Sequence, residues 1–336
     1  MFGSGKMIKK IICVFLAAVA VLSVPVNAEA AEGKGAGTVF PIRYNDYADS
    51  TVSTQTILLN GIWFTVDCYH DRILYNDTLD IGSSLFSWKV MADDLNKPHS
   101  ICSDGTIYLV TDTDNNRVVT YSRLPSGEFI ELQSVPYVGI RPHYCEYDAA
   151  TGSFYVWSSF TGEMYIFKRN SKGLDLRLTA VKKLDCLYGL YTRSFTIDGN
   201  YILLCSQGVG GILVVDKKNF RLVTGHAVCD ELGGVVQVSH IGKHYYLTTS
   251  SDRYGNSNTA MVARADSLAG FVSAATYTDV TSELGGLTGG CVPYYISYAN
   301  GAYIARFNSV GSGFDEHARI FAEDTFGNLI MGGKLP

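Results

Sequence analysis

Short apolar runs alternate along this chain with polar, glycine-rich clusters, and the alternation has a fixed grammar. Its strongest statement runs from Pro98 to Tyr121: an apolar strand, a turn at Asp104-Gly105, a strand from Ile107, a polar turn and a third strand. Runs of β-branched and aromatic residues bounded by Asp-Gly or Asn-Gly are the signature of antiparallel hairpins. The same order of parts returns at Pro142–Phe167 and at Arg193–Asp216, where Asp198-Gly199 makes the turn. Looser copies occupy Val236–Arg264 and Pro293–Phe321, and a first copy places Asn60-Gly61 before Ile62-Trp63-Phe64-Thr65-Val66.

The spacing of these copies decides the fold class. Marking the start of each second strand at Ile62, Ile107, Phe154, Tyr201, Tyr245 and Ala302 gives intervals of 45, 47, 47, 44 and 57 residues. That is the length of a four-stranded blade, so the chain is expected to be an all-β, six-bladed β-propeller of antiparallel blades. A β-sandwich with as many strands would not explain the equal spacing. Fourth strands are expected at Phe86–Met91, Phe129–Val135, Leu174–Val181, Phe220–Val228 and Phe271–Val280. Either Asn328–Met331 or Thr38–Ile42 is expected to complete the last blade. The propeller then fills residues 51–336 as one domain, with 29–50 an N-terminal segment that can supply a ring-closing strand.

The first 28 residues read as a secretory signal peptide. Lys6, Lys9 and Lys10 precede an apolar stretch from Ile11 to Leu22, and Val26-Asn27-Ala28 fits a small-residue cleavage site. The apolar stretch is shorter than a bilayer span requires. A secreted, extracellular protein is expected, with no membrane span after cleavage. Removing the three leader lysines takes the formal net charge from −5 to −8. Such acidity argues against nucleic acid as a partner. Seven cysteines remain: Cys68, Cys102, Cys145, Cys186, Cys205, Cys229 and Cys291. Their number is odd, they form no CxxC pair, and most lie inside apolar runs. Buried free thiols are expected, with a single disulfide left open.

Pro98, Gly105, Ile107, Tyr108, Asp112, Asn115, Arg117 and Val118 stand where an NHL-type blade would place them, and the unit at 98–121 resembles that family. One extra residue separates Tyr108 from Asp112. The blade at 142–167 is a partial match. The resemblance implies a propeller and no particular activity, because such propellers host unrelated functions.

Counting back eight residues from each marker reaches the start of the innermost strand. The positions are Thr54, His99, Arg193, Gln237 and Tyr294, with His143 the equivalent where the first turn is three residues longer. Six blades thus present Thr, His, His, Arg, Gln and Tyr at one level, expected at the mouth of the central channel. A channel lining is polar simply because it meets water. These residue types, however, are donors that orient an anionic or hydroxylated ligand, and Lys and Glu are missing from the set. Tyr144, Tyr191 and Tyr295 lie beside these positions as stacking surfaces or as packing between blades. Enlarged turns at Ser251–Thr259, with Arg253 and Tyr254, and at Asn308–His317, with Asp315, Glu316 and His317, are expected to overhang the same rim.

His99 and His143 on neighbouring blades also form a candidate pair of ligands for a divalent metal. The ring is similar to that of the peptidylglycine amidating lyases, six-bladed propellers with a metal in the channel beside Arg and Tyr, but it lacks a third ring histidine. Zinc catalysis uses three protein ligands and an open position. Asp112-Thr-Asp114-Asn-Asn116 lacks the glycine and distal glutamate of a calcium loop and reads as a blade turn. No GxSxG and no phosphate-binding glycine loop occurs. The leading expectation is a monomeric, secreted propeller that binds a small anionic or carbohydrate-like ligand at the ring. The alternatives are a metal-assisted lyase or hydrolase at the same ring and a surface protein-interaction module.

Overall fold

A computed structural model describes residues 39–44, 53–79, 88–171, 173–285, 291–299, 301–309 and 317–331. Residues 1–38, which include the expected leader, lie outside the described residues. Six antiparallel sheets succeed one another along the chain, each laid down from its innermost strand outwards. The innermost strands are Ser53–Leu59, Pro98–Ser103, Pro142–Asp148, Thr192–Asp198, Val235–Ile241 and Cys291–Ala299. They pack in succession, and the sixth closes against the first. The molecule is a six-bladed β-propeller.

The blades adhere through apolar seams rather than through shared strands. Phe64 of blade 1 packs with Tyr108 and Phe129 of blade 2, Leu109 with Phe154, and Trp157 with Phe195 and Ile202. Leu203 meets Leu247 and Ala263, Tyr246 meets Ile296 and Phe307, and Ile304 returns to Trp63 and Leu74 of blade 1. Burying each such side chain contributes on the order of 1.5–3 kcal/mol. The spaced apolar runs have this destination: alternate residues of each strand face the blade before and the blade after.

Turns at the channel mouth are built to one plan. The residue before each third strand takes a left-handed conformation in blades 1 to 4, at Asp71, Asn116, Gly162 and Gly210. In blade 3 no side chain fits, because a Cβ at Gly162 would stand 2.6 Å from the Leu184 carbonyl. In blades 1 and 2 the Asx side chain takes a second task, accepting the backbone N–H of Lys97 (Asp71 Oδ1, 2.8 Å) and of Arg141 (Asn116 Oδ1, 2.8 Å). The residues behind the NHL resemblance serve the same turn. Asp112 accepts from Asn115, from Arg117 and from the Asn96 backbone. Asp67 and Arg72 repeat the ion pair in blade 1 at 2.7 Å.

Three expectations needed adjustment. Leu329–Met331 completes blade 6, whereas Val39–Phe40 pairs with the outermost strand of blade 2 and Arg43–Tyr44 with that of blade 1. The described residues 39–44 are therefore a strap across two outer edges and do not complete blade 6. In blade 5 the expected strand Phe271–Val280 is reduced to Thr278–Asp279, because Leu268–Val272 turns into a 3-10 helix that buries Leu268 and Phe271. Blade 1 ends in Lys89–Ala92, its upstream part falling outside the described residues. Among the described residues six cysteines are free thiols, four of them buried; Cys186 is exposed and Cys229 half-buried. Among the described residues no helix is long and apolar enough to cross a membrane.

Candidate functional site at the channel mouth

An innermost strand has one unpaired edge facing the channel, and its N–H and C=O groups need partners. Polar side chains of the preceding blade supply them. Gln55 Oε1 accepts from Ile101 N at 2.8 Å and Ser100 Oγ accepts from Cys145 N at 2.9 Å. Glu146 Oε2 accepts from Ile197 N at 3.2 Å, and Gln237 Oε1 accepts from Ile296 N at 2.6 Å. Two hydroxyls act in the other sense: Thr54 donates to His99 O (2.6 Å) and Ser194 to Val236 O (2.5 Å). Thus Thr54 and Gln237, two of the six ring candidates, stitch neighbouring blades together. Gln237 also donates to the Tyr144 hydroxyl at 3.1 Å, and Tyr144 packs edge-on to Tyr295 from blade 6 with centroids 4.7 Å apart. Side chains from opposite blades meet here, so the channel is filled at this depth.

All six innermost strands carry a β-bulge in their mouth-side half. The pairing shifts at Thr54, His99–Ser100, His143, Arg193, Val236 and Tyr294–Tyr295 in turn. Five of these steps contain a ring candidate. The blade 5 position is Val236, with Gln237 one step deeper, because the second strand starts at His244 rather than at the marker Tyr245. Bulges re-aim side chains at the ends of strands, and here they turn His99, His143, Arg193 and Tyr294 towards the mouth.

The two imidazoles lie on one another with centroids 3.8 Å apart and an interplanar angle of 35°. His99 Nδ1 must carry its proton, since it donates to Lys97 O at 2.8 Å; the Cys68 sulfur lies 3.9 Å from Nδ1 and 3.8 Å from Nε2. His143 is held on both sides, Nδ1 by the Tyr295 hydroxyl (2.9 Å) and Nε2 by the Tyr191 hydroxyl (3.1 Å). Burial disfavours the charged forms: His99 is lowered to about 3, and His143 falls well below the usual histidine value, with His99 and nearby cations adding to the effect. Burial also pushes the Cys68 thiol and the Tyr294 hydroxyl up, keeping both protonated. The histidines are neutral packing and hydrogen-bonding groups at pH 7.

Arg193 is the charged centre of the mouth. Its guanidinium lies 5.3 Å from the Tyr191 ring centroid, and Nη2 donates to Gln207 Oε1 at 3.2 Å. Tyr191 in turn stacks on Phe160, with centroids 5.1 Å apart. Nε is covered and has no hydrogen-bond partner among the described residues, nor does any carboxylate pair with Arg193 there. Lys97 and Arg141 flank the histidines and share Asp114, at 3.8 and 2.8 Å. Both adopt left-handed backbone (φ 48° and 56°) immediately before a proline. That conformation costs an ordinary residue about 1–2 kcal/mol, and such strain concentrates at functional positions.

The expected side wall is present only in part. Arg253 pairs with Asp230 at 3.0 Å, and Tyr254 is exposed beside it, its hydroxyl 3.5 Å from the same carboxylate. Most of the turn at Asn308–His317 lies outside the described residues, including Asp315 and Glu316; Asn308 is buried. As a metal site, the His99–His143 pair fits poorly. Stacked rings do not converge on a point, both His143 nitrogens are taken, and no cluster of three ligating side chains occurs among the described residues. Sequence reasoning missed Gln207, Phe160, Lys97, Arg141 and Cys68. All lie in blade-to-blade linkers or mouth turns, whose place in the ring only the closed fold reveals.

No protein-family model matches the chain, and no curated protein matches its sequence. Solved structures do. A streptogramin B lyase superposes with a TM-score of 0.54 at 12% identity, covering 87% of this chain and 85% of that one. A catalytically inactive variant of virginiamycin B lyase from Staphylococcus aureus, solved with quinupristin, gives 0.53 at 12% identity, covering 87% of each. A Bacteroides uniformis protein provisionally assigned as a 6-phosphogluconolactonase gives 0.54 at 9% identity, covering 81% of each. At these identities the likeness is one of fold.

Proposed function

We propose that this chain is an exported β-propeller that binds a small anionic ligand, such as an acidic sugar, at the channel mouth, with Arg193 as the anchor. The observation that carries the reading is an arginine oriented by Tyr191 and Gln207 with no carboxylate among the described residues to neutralise it. A planar donor fork of this kind suits a carboxylate or phosphate. Lys97 and Arg141 add positive potential on a strained backbone, and Tyr294 offers a ring against which a sugar can pack. The basic leader and apolar stretch support export, and a soluble monomer accords with the acidic mature chain.

The test is calorimetric titration at low ionic strength with inorganic phosphate, glucuronate, galacturonate and citrate. At least one should bind, and Arg193→Ala should lose about 1.5–3 kcal/mol, the worth of a charged hydrogen bond. Chelators should leave the affinity unchanged. Binding by none of the four, or equal binding by the variant, would remove the proposal. The lyase or hydrolase reading rests on the kinship of fold with lyases and a lactonase-like protein. It has less support at the residue level, because His143 has no free nitrogen and only His99 Nε2 faces a group as weak as a thiol.

A further inference from the structure

On the face opposite the mouth, blade 5 carries a cleft of about 650 Å3 lined by His244, Arg264, Asp266, Ser267, Tyr277 and Thr278 among others. It exists because the connection from Ala265 to Thr278 is long, where blades 2, 3, 4 and 6 use only short turns at the same place. That connection is a firm wall. Leu268 and Phe271 anchor it in the core, and Thr276 Oγ1 donates to Gly270 O and Ser273 O at 2.6 and 2.9 Å.

The chemistry at the head of the cleft is unusual. Glu323 reaches in from blade 6, its side chain 1% exposed, and accepts from the Tyr246 hydroxyl (2.6 Å), Lys243 N (2.9 Å) and His244 Nδ1 (2.6 Å). Since a carboxylate only accepts, His244 carries its proton on Nδ1 and presents Nε2 to the cleft. A carboxylate behind a histidine fixes its ring orientation and tautomer. Gly327 of blade 6 closes the other side of the ring: a Cβ there would lie 2.6 Å from His244 Cε1. Asp266 Oδ1 stands 3.3 Å from Nε2, on a side chain 95% exposed.

We propose that this cleft is a second binding site, independent of the mouth, and that it takes an uncharged ligand bearing neighbouring hydroxyls, of the size of a mono- or disaccharide. His244 Nε2 and the Asp266 carboxylate both accept, so neighbouring ligand hydroxyls can each donate, one to Nε2 and one to Asp266 Oδ1. Arg264 and the hydroxyls of Ser267 and Thr278 then serve further ligand oxygens. A carboxylate or phosphate would meet Asp266 with like charge, and an amine would meet Arg264 with like charge. The volume falls within the range of roughly 300–1,000 Å3 usual for small-molecule sites.

The experiment is saturation-transfer NMR followed by calorimetry of the mature chain with glucose, maltose, cellobiose and lactose, and with inorganic phosphate and ethanolamine as charged probes. One or more sugars should bind, and Asp266→Ala and His244→Gln should each weaken that binding at least tenfold. Arg193→Ala should leave it unchanged, which separates this site from the mouth. If His244→Gln fails to fold, Asp266→Ala still decides, because that side chain supports nothing in the core. Absence of binding by every sugar, binding of phosphate or ethanolamine in their place, or unchanged affinity in Asp266→Ala would overturn the proposal.

Discussion

The wall of the channel and its mouth are built from neighbouring residues of the same six strands, yet their polar side chains answer to different demands. In the wall, Gln55, Ser100, Ser194 and Gln237 close hydrogen bonds that the unpaired strand edges leave open, and their polarity is spent inside the fold. At the mouth, one residue away, a bulge turns Arg193 outwards with its charge unmatched among the described residues. Polarity on a channel is therefore no sign of a site. An unmatched charge held in place by its neighbours is.

Substitutions should separate the two regions, and the largest effect belongs to the wall. Gln237→Ala leaves the Ile296 N–H and the Tyr144 hydroxyl without partners in a filled interior. At about 1–3 kcal/mol for each unsatisfied group, it should cost about 2–6 kcal/mol in urea denaturation while ligand affinity at the mouth stays intact. A large loss of affinity with normal stability would invert the assignment.

The next effect is the dependence of stability on pH. His99 is lowered from 6.5 to about 3, so the unfolded chain takes up a proton that the folded one refuses, and stability falls as pH drops from about 6.5 towards 3. Glu146 has the opposite sense. Burial raises its carboxyl from 4.5 to about 8, so stability is lost as pH climbs from about 4.5 through 8. Melting temperature measured across this span should show His99→Gln losing less on acidification and Glu146→Gln losing less on alkalinisation. Curves that overlay the parent protein would show that neither group is buried as described.

The smallest effect concerns the strained rim. Lys97→Gly relieves a left-handed backbone and should raise stability by about 1 kcal/mol, while removing a cation and so weakening anion binding a few-fold. Stability that falls would mean that the Lys97 side chain, with its contacts to Asp114 and to the face of Tyr69, holds the linker.

The repeat made the propeller legible, because blade length survives even where blade sequence drifts. Five of the six bulge positions were legible for the same reason: they lie a constant distance from the hairpin turn. The count slipped in blade 5, where His244 extends the second strand by one residue and moves the bulge to Val236. That blade also hid its cleft, since the run from Phe271 to Val280 has strand-like composition but bends at Leu268–Val272 to bury Phe271. What no spacing can supply is partnership across the ring. Tyr191, Tyr295 and His143 come from three blades, and Tyr144 meets Gln237 over a gap of 93 residues.

The central claim is that Arg193 offers a free donor fork to an anion at the mouth. Its most direct test is the 1H–15N signal of the Arg193 Nη groups, assigned by its loss in Arg193→Lys and followed as glucuronate or phosphate is added. The account predicts a saturable downfield shift of this signal as the donors gain an acceptor, with the Nη signals of other arginines unmoved. An Arg193 signal that stays still while an anion demonstrably binds would place the site elsewhere and contradict the account.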